Sequence, residues 1–177
     1  MEQPDFTPQI EILGPENWKE YQEFRLKALK TTPTAFGASF EETVLHTADQ
    51  IRSKLSNPNR KDYVVRVGGK IIAMANYTLE VPANVKHLAK IHGLFVDPDF
   101  QRRGIAESLL KRMLDDLHRN PITARVVLSV NNANEAPKAL YKKLGFIQFG
   151  LGRKEMKISP KHYSDQARME LIFEDKL

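Results

Sequence analysis

A chain of 177 residues, 41% hydrophobic and 28% charged, is long enough to fold as one domain, residues 1–177, around a sizeable core. Its 27 Lys+Arg against 22 Asp+Glu leave a formal charge of +5, which suits a small anionic ligand. No basic run with interleaved aromatics offers nucleic acid an arm or a stacking platform. With no cysteine, disulfides, thiolate nucleophiles and Cys-ligated metals are excluded, and the histidines His46, His87, His92, His118 and His162 are too scattered for a zinc site.

The opening stretch, residues 1–8, is acidic and polar, unlike a secretory leader, and no apolar run reaches the length of a membrane span. The expected compartment is the cytoplasm. Residues 9–13 alternate as a strand and stop at Gly14-Pro15. Trp18, Tyr21, Phe24 and Ala28 recur at helical spacing among Lys19, Glu20, Glu23 and Lys27, which predicts an amphipathic helix. Pro33 and Gly37 make residues 31–40 a loop, and residues 48–55 read as a shorter helix. Residues 63–67 and 70–79 are strands joined by Gly68-Gly69, the two-residue signature of a hairpin. A third strand, residues 86–96, ends at Asp97-Pro98.

Residues 104–117 carry a wide apolar stripe (Ile105, Leu109, Met113, Leu117, flanked by Ala106, Leu110 and Leu114), which predicts a helix packed on a sheet. Residues 124–130 are a buried strand, residues 135–143 a short helix ending at Gly145, and residues 146–158 and 167–173 the final strands. A helical opening, a meander, then alternating strands and helices predict a mixed α/β sheet with helices packed on it.

The informative stretch is Leu94-x-Val96-x-Pro98-x-x-Gln101-x-x-Gly104-x-Ala106, a strand that runs through a short loop into a helix. The first-turn N–H groups of a helix point at whatever lies before them, and its dipole favours negative charge. Gly104 removes the Cβ that would hold a phosphate away, and Ala106 is small for the same reason. Arg102 and Arg103 add charged donors. The pattern is neither a Walker loop nor the dinucleotide fingerprint, since Gly-Lys-Ser/Thr and Gly-x-Gly-x-x-Gly are both absent. On physical grounds it is a pyrophosphate cradle.

This stretch resembles the acetyl-CoA-binding motif of the GNAT superfamily of acetyltransferases. A second signature of that family follows: Leu128-x-Val130-x-x-x-Asn134, then Ala139-Leu140-Tyr141, then Leu144-Gly145-Phe146. Arg25-Leu26, Ala28-Leu29, Pro33 and Ala35-Phe36 echo its usual first helix and loop. The resemblance is to a small bacterial-type member. It implies a mixed, mostly antiparallel sheet of about seven strands, helices on both faces, splayed between the fourth and fifth strands. It implies an enzyme that moves the acetyl group of acetyl-CoA directly to a primary amine of a small molecule, peptide or protein. The rival reading is a non-catalytic acyl-CoA-binding sensor on the same fold. No metal, nucleic acid or membrane is expected as a partner, and dimers are frequent in the family.

By resemblance, Leu94, Phe95 and Val96 would offer backbone groups to pantetheine like an added strand. Gln101, Arg102, Arg103, Gly104, Ile105 and Ala106 would hold the pyrophosphate. Asn134 would bond the pantetheine arm or cap the following helix. Tyr141 would be the general acid on the leaving sulfur. Pro137 stands where the family usually has alanine, in a first turn that tolerates it. His92, read as sharing side-chain parity with Leu94 and Val96, is a candidate base, with Glu41, Glu42 and Glu80 as carboxylate alternatives. Phe36, Glu41 and Glu42 are candidate acceptor contacts on the loop after the first helix. Lys142-Lys143 either reach a cofactor phosphate or form a solvated face, and Asn131 and Asn132 serve the turn.

Overall fold

A computed structural model describes residues 7–177, so most of the acidic opening stretch lies outside the described residues. Seven strands form one sheet: β1 (Gln9–Ile12), β2 (Arg60–Val67), β3 (Lys70–Leu79), β4 (Leu88–Val96), β5 (Arg125–Asn131), β6 (Ile147–Ser159) and β7 (His162–Ile172). Their order is β1-β2-β3-β4-β5-β7-β6. Neighbours are antiparallel except β4 and β5, which are parallel.

The local chemistry explains most of these boundaries. Gly68 and Gly69 both have positive φ (55° and 77°), the conformation that a tight hairpin between twisted strands needs. β2 starts three residues before the stretch of apolar residues that marks it in the sequence. There Asp62 is only 3% exposed, and its charge is matched by Arg60 at 2.6 Å from both carboxylate oxygens. A buried ion pair thus stands where the sequence pattern looks like a polar loop. β7 likewise starts at His162, earlier than the apolar run that announces it.

The α-helices among the described residues are α1 (Trp18–Thr31), α2 (Phe40–Thr43), α3 (Ala48–Leu55), α4 (Ile105–Arg119) and α5 (Glu135–Lys143). The short α2, which begins at the last residue of the stretch read as loop, forms because Ser39 Oγ accepts the N–H of Glu42 at 3.1 Å. α4 buries Ile105, Leu109, Leu110, Met113, Leu114 and Leu117 against Ala89, Ile91, Val126 and Leu128 of the sheet. At about 2 kcal/mol per buried aliphatic side chain, that stripe is a main anchor of the face. On the opposite face α1 and α3 pack Tyr21, Phe24, Ala28, Leu29, Ile51 and Leu55 on Val64, Met74 and Phe95. That second core stops at β4, so β5, β7 and β6 are left without a helix layer on the α1 side. No helix among the described residues is long and apolar enough to cross a membrane.

Two features of β4 position the site. It pairs with β5 only through Leu88↔Arg125, Ala89↔Val126 and Lys90↔Val127, and beyond Lys90 the two strands part. It also carries a bulge. His92 pairs with Asn76 and Phe95 with Met74, so one extra residue sits on the β4 side, where Gly93 has φ 66°. The bulge inverts side-chain parity. Ile91, Leu94 and Val96 all join the core under α4, while Phe95 joins the core under α1. His92 therefore faces the α1 side, opposite to Leu94 and Val96, which corrects the parity read from simple alternation.

Candidate active site

The parting of β4 and β5 opens the sheet to a cavity on each face. The cavity on the α4 side has a volume of about 480 Å³. Every cofactor-binding residue expected from the sequence lines it, Arg103 excepted. The loop entering α4 is pinned on both sides. Gln101 Nε2 donates to the Val96 carbonyl at 3.0 Å, and Asp97 pairs with Lys27 of α1. Arg102 and Gly104 both take left-handed conformations, φ 61° and 74°. Gly104 is the N-cap of α4 and no side chain caps that helix, so the orphan first-turn N–H groups remain for a ligand. A Cβ built on Gly104 would meet nothing within 4 Å; it would project into open space. That is a cradle a phosphate oxygen fits. The Arg103 guanidinium instead lies 5.6 Å from the Phe100 ring.

The left-handed φ also fixes what a substitution does. Gly104→Val is expected to cost about 1–2 kcal/mol of stability. It should also weaken CoA binding by at least tenfold, because the branched side chain occupies the cradle; thermal unfolding and calorimetric titration measure the two effects separately.

α5 forms the far wall. Asn134 is its N-cap residue but makes no side-chain capping bond, so the capping alternative for this residue is not used. Its side chain lines the cavity. Asn131 Oδ1 accepts the Ala133 N–H at 3.0 Å, which serves the turn as expected. Pro137 sits in the first turn of an intact helix. Lys143 is tied to Glu107 of α4 at 2.6 Å, which accounts for it as an interhelical contact. Tyr141 is 6% exposed, its ring set edge-on to Phe146 at 5.8 Å. Burial pushes its phenol pKa well above the ordinary value, so the hydroxyl stays protonated at any physiological pH.

The second cavity, about 1290 Å³, lies on the α1 side over the uncovered part of the sheet. Phe36, Glu41 and His92 line it. Glu42 lines neither cavity: it is an exposed residue in the first turn of α2. Phe36 is mostly core, packed 6.4 Å from the Phe95 ring. Both cavities are lined by Ile91, His92, Gly93, Leu128 and Ser129, so they meet at the strand gap.

His92 stands at that junction. Its Nε2 is 3.1 Å from Thr78 Oγ1. Burial lowers its pKa, and the positive charges of Arg60, Lys90 and Arg25 lower it further, against a smaller opposing effect of Glu80. The imidazole is therefore neutral near pH 7 and able to accept a proton. Glu80, the alternative carboxylate, is engaged with Lys90 at 2.7 Å.

Residues 17–146 match the sequence pattern of the acetyltransferase (GNAT) family. The chain belongs to that family. Among curated GNAT relatives, N-alpha-acetyltransferase RimI of Mycobacterium tuberculosis is 31% identical over 60% of this chain and 64% of its own length. The ribosomal protein bS18-alanine N-acetyltransferase of Escherichia coli K12 is 40% identical over 33% of this chain and 38% of its own length. The matched part thus spans less than two thirds of either relative. Among solved structures, a GNAT-family acetyltransferase from Streptococcus pneumoniae superposes with a TM-score of 0.83 at 20% identity, over 94% of this chain and 99% of that one.

Around this gap the sequence reading gave no role to Arg25, Asn76, Thr78 or Ser129. Arg25 was detectable. It lies four residues after Tyr21 and three before Ala28, on the buried stripe of α1, where a cation is out of pattern. Asn76 and Thr78 carried no local signal, because only the β3–β4 pairing brings them to His92.

Proposed function

We propose that the chain is an acetyl-CoA-dependent N-acetyltransferase that acts on a primary amine of a small molecule or of a peptide or protein. The observation that carries this reading is the meeting of two cavities at the β4–β5 gap, with Tyr141 on one side and His92 at the junction. Acetyl-CoA supplies an acetyl thioester.

The backbone of β4 from Gly93 to Val96 has no β5 partner and would hold the pantetheine amides as an added strand does. The start of α4, with Arg102 beside it, would hold the pyrophosphate. His92 would take a proton from the acceptor ammonium and free its lone pair to form the new C–N bond. The Tyr141 hydroxyl would give its proton to the sulfur as the C–S bond breaks, and the second proton, which the nitrogen sheds on becoming an amide, would pass through solvent to restore the phenol. With no cysteine to form a thiol acyl-enzyme, direct transfer is the economical route. The names of the two curated relatives, both N-acetyltransferases, support the α-amino group of a peptide as one form of acceptor.

Release of CoA thiol, followed across a panel of amines, tests the reading. Turnover of at least one amine class is expected. Tight acetyl-CoA binding with no turnover on the whole panel would favour the sensor instead. The pH profile tests the base. His92 must be neutral to act, so kcat/KM falls as pH drops through its pKa. Because that pKa is lowered, the fall is expected below about 6.5, the ordinary histidine value. His92→Ala should remove this limb and cost about tenfold near pH 7, water replacing the imidazole. An unchanged profile would dismiss His92.

A further inference from the structure

We infer that the acceptor amine carries a carboxylate a few bonds away, and that Arg25 receives it. This rests on the transferase reading and adds the chemical class of the acceptor. The argument begins with charge. Of the basic side chains lining the larger cavity, Lys90 is matched by Glu80 at 2.7 Å and Arg168 by Glu155 at 3.0 Å. Arg25, Lys30 and Lys157 also line it, and no ion pair within the described residues matches them. Glu41 is their one acidic counterpart on the wall that is not already paired. The cavity is therefore cationic, a poor match for a polycation and a good one for an acceptor with negative charge.

Arg25 is the member of this set that a solvated surface does not explain. It comes from the buried stripe of α1, and its guanidinium lies 4.5 Å from the Phe36 ring centre. Its Nη1 is shut off from solvent and donates to no acceptor among the described residues. The carboxylate buried on the same face, Asp62, is already held by two nitrogens of Arg60. Ring contact offsets part of the desolvation of a guanidinium, but a half-buried cation with one shut-off, unmatched nitrogen is costly, and an anion on the edge that lines the cavity relieves it. A carboxylate suits the planar fork better than any neutral group.

The position adds the spacing. Nη1 lies 3.2 Å from where a Cβ of residue 93 would be, so the guanidinium abuts the bulge beside His92. A carboxylate on Arg25 thus belongs to the same small fragment as the amine that His92 deprotonates. Two sources supply that fragment: a free amino acid through its α-carboxylate, or a peptide whose first residue is acidic.

Matched acceptors test this. One arm compares L-alanine with L-alaninamide; the other compares the amidated peptides Glu-Ala-Ala-Ala and Gln-Ala-Ala-Ala. In at least one arm the carboxylate is expected to raise kcat/KM by about 10- to 100-fold, the worth of a charge-assisted bond, mostly through KM. Arg25→Gln should erase that preference, bringing kcat/KM for the carboxylate member of each pair down to that of its uncharged partner. Arg25→Lys, which keeps the charge and loses the fork, should retain part of it and guards against a folding defect. Calorimetric binding of the same four probes to the protein with CoA added provides a readout independent of turnover. Arg25-dependent binding of a carboxylate probe without turnover would keep this site and sink the transferase reading. Turnover of amines with no preference in either arm would keep the transferase and overturn the carboxylate site, as would equal losses for both members of a pair in Arg25→Gln.

Discussion

Tyr141→Phe is expected to lower kcat by about 10²-fold, with acetyl-CoA affinity and the thermal midpoint close to wild type. The ring is buried against Phe146, and phenylalanine preserves that packing. No hydrogen bond within the described residues engages the hydroxyl, so its removal orphans no buried group and the stability cost is small. On the proposed mechanism, what is lost is the proton offered to the departing sulfur. Because burial keeps the phenol protonated, the wild-type hydroxyl is always in the donor form. The dependence on leaving group separates this role from a packing role. A thioester of a more acidic thiol needs less help, so the variant should lose less with it than with acetyl-CoA. An equal loss with both donors would mean that Tyr141 only shapes the cavity, and an undiminished kcat would remove it from the chemistry.

The parts of the fold legible in the sequence are those whose physics is local. The α4 stripe declares itself because six apolar side chains recur at helical spacing, and α5 and the Gly68-Gly69 turn do so through their end signals. The cradle at Gly104 was legible for the same reason: a strand, a turn and a helix start are contiguous in the chain. The larger cavity was not. Its wall is assembled from α1, the α2 region, β4 and the β6–β7 hairpin, and nothing in any one segment says that the others lie opposite it. Glu41 and Glu42 are neighbours in sequence, yet the first turn of α2 sends only Glu41 to the cavity. Ion pairs mislead in the same way, since Arg60 and Asp62 look like loop residues until the sheet places them side by side and buries them.

The costliest single omission was the bulge. A glycine inside a strand signals one. Reading residues 91–96 as plain alternation put His92 with Leu94, whereas the extra residue sends it to the α1 side. That one-residue irregularity divides the labour of the site. Leu94 and Val96 face the cavity that ends at Tyr141, and His92 turns toward Thr78 and the cationic chamber. On the proposed mechanism, proton removal and leaving-group protonation would be set on different faces of one sheet, with the strand gap between them.

Gly93→Ala is the sharpest test of that arrangement. It should lower kcat/KM by about 10²-fold, since small displacements of reacting groups are that costly. It should also destabilise the fold by about 1–3 kcal/mol, the cost of a non-glycine residue held in a sparsely populated backbone region. The position combines two obstacles. Its φ of 66° disfavours any L side chain, and a Cβ there would lie 3.1 Å from Asn76 Nδ2 and 3.2 Å from Arg25 Nη1. Asn76 is buried and Arg25 half-buried, so relief comes by pushing Arg25 off Phe36 or by flattening the bulge. Flattening shifts the register of β4 by one and turns His92 toward the wrong face. Gly68→Ala is the control. Gly68 has a similar φ of 55°, but nothing lies within 4 Å of its missing Cβ, and it sits at the far hairpin turn. It should show a smaller loss in thermal unfolding, with activity intact. If Gly93→Ala were merely as destabilised as Gly68→Ala and fully active, the bulge would be strain alone, and the separation of the two proton transfers across the sheet would not depend on it.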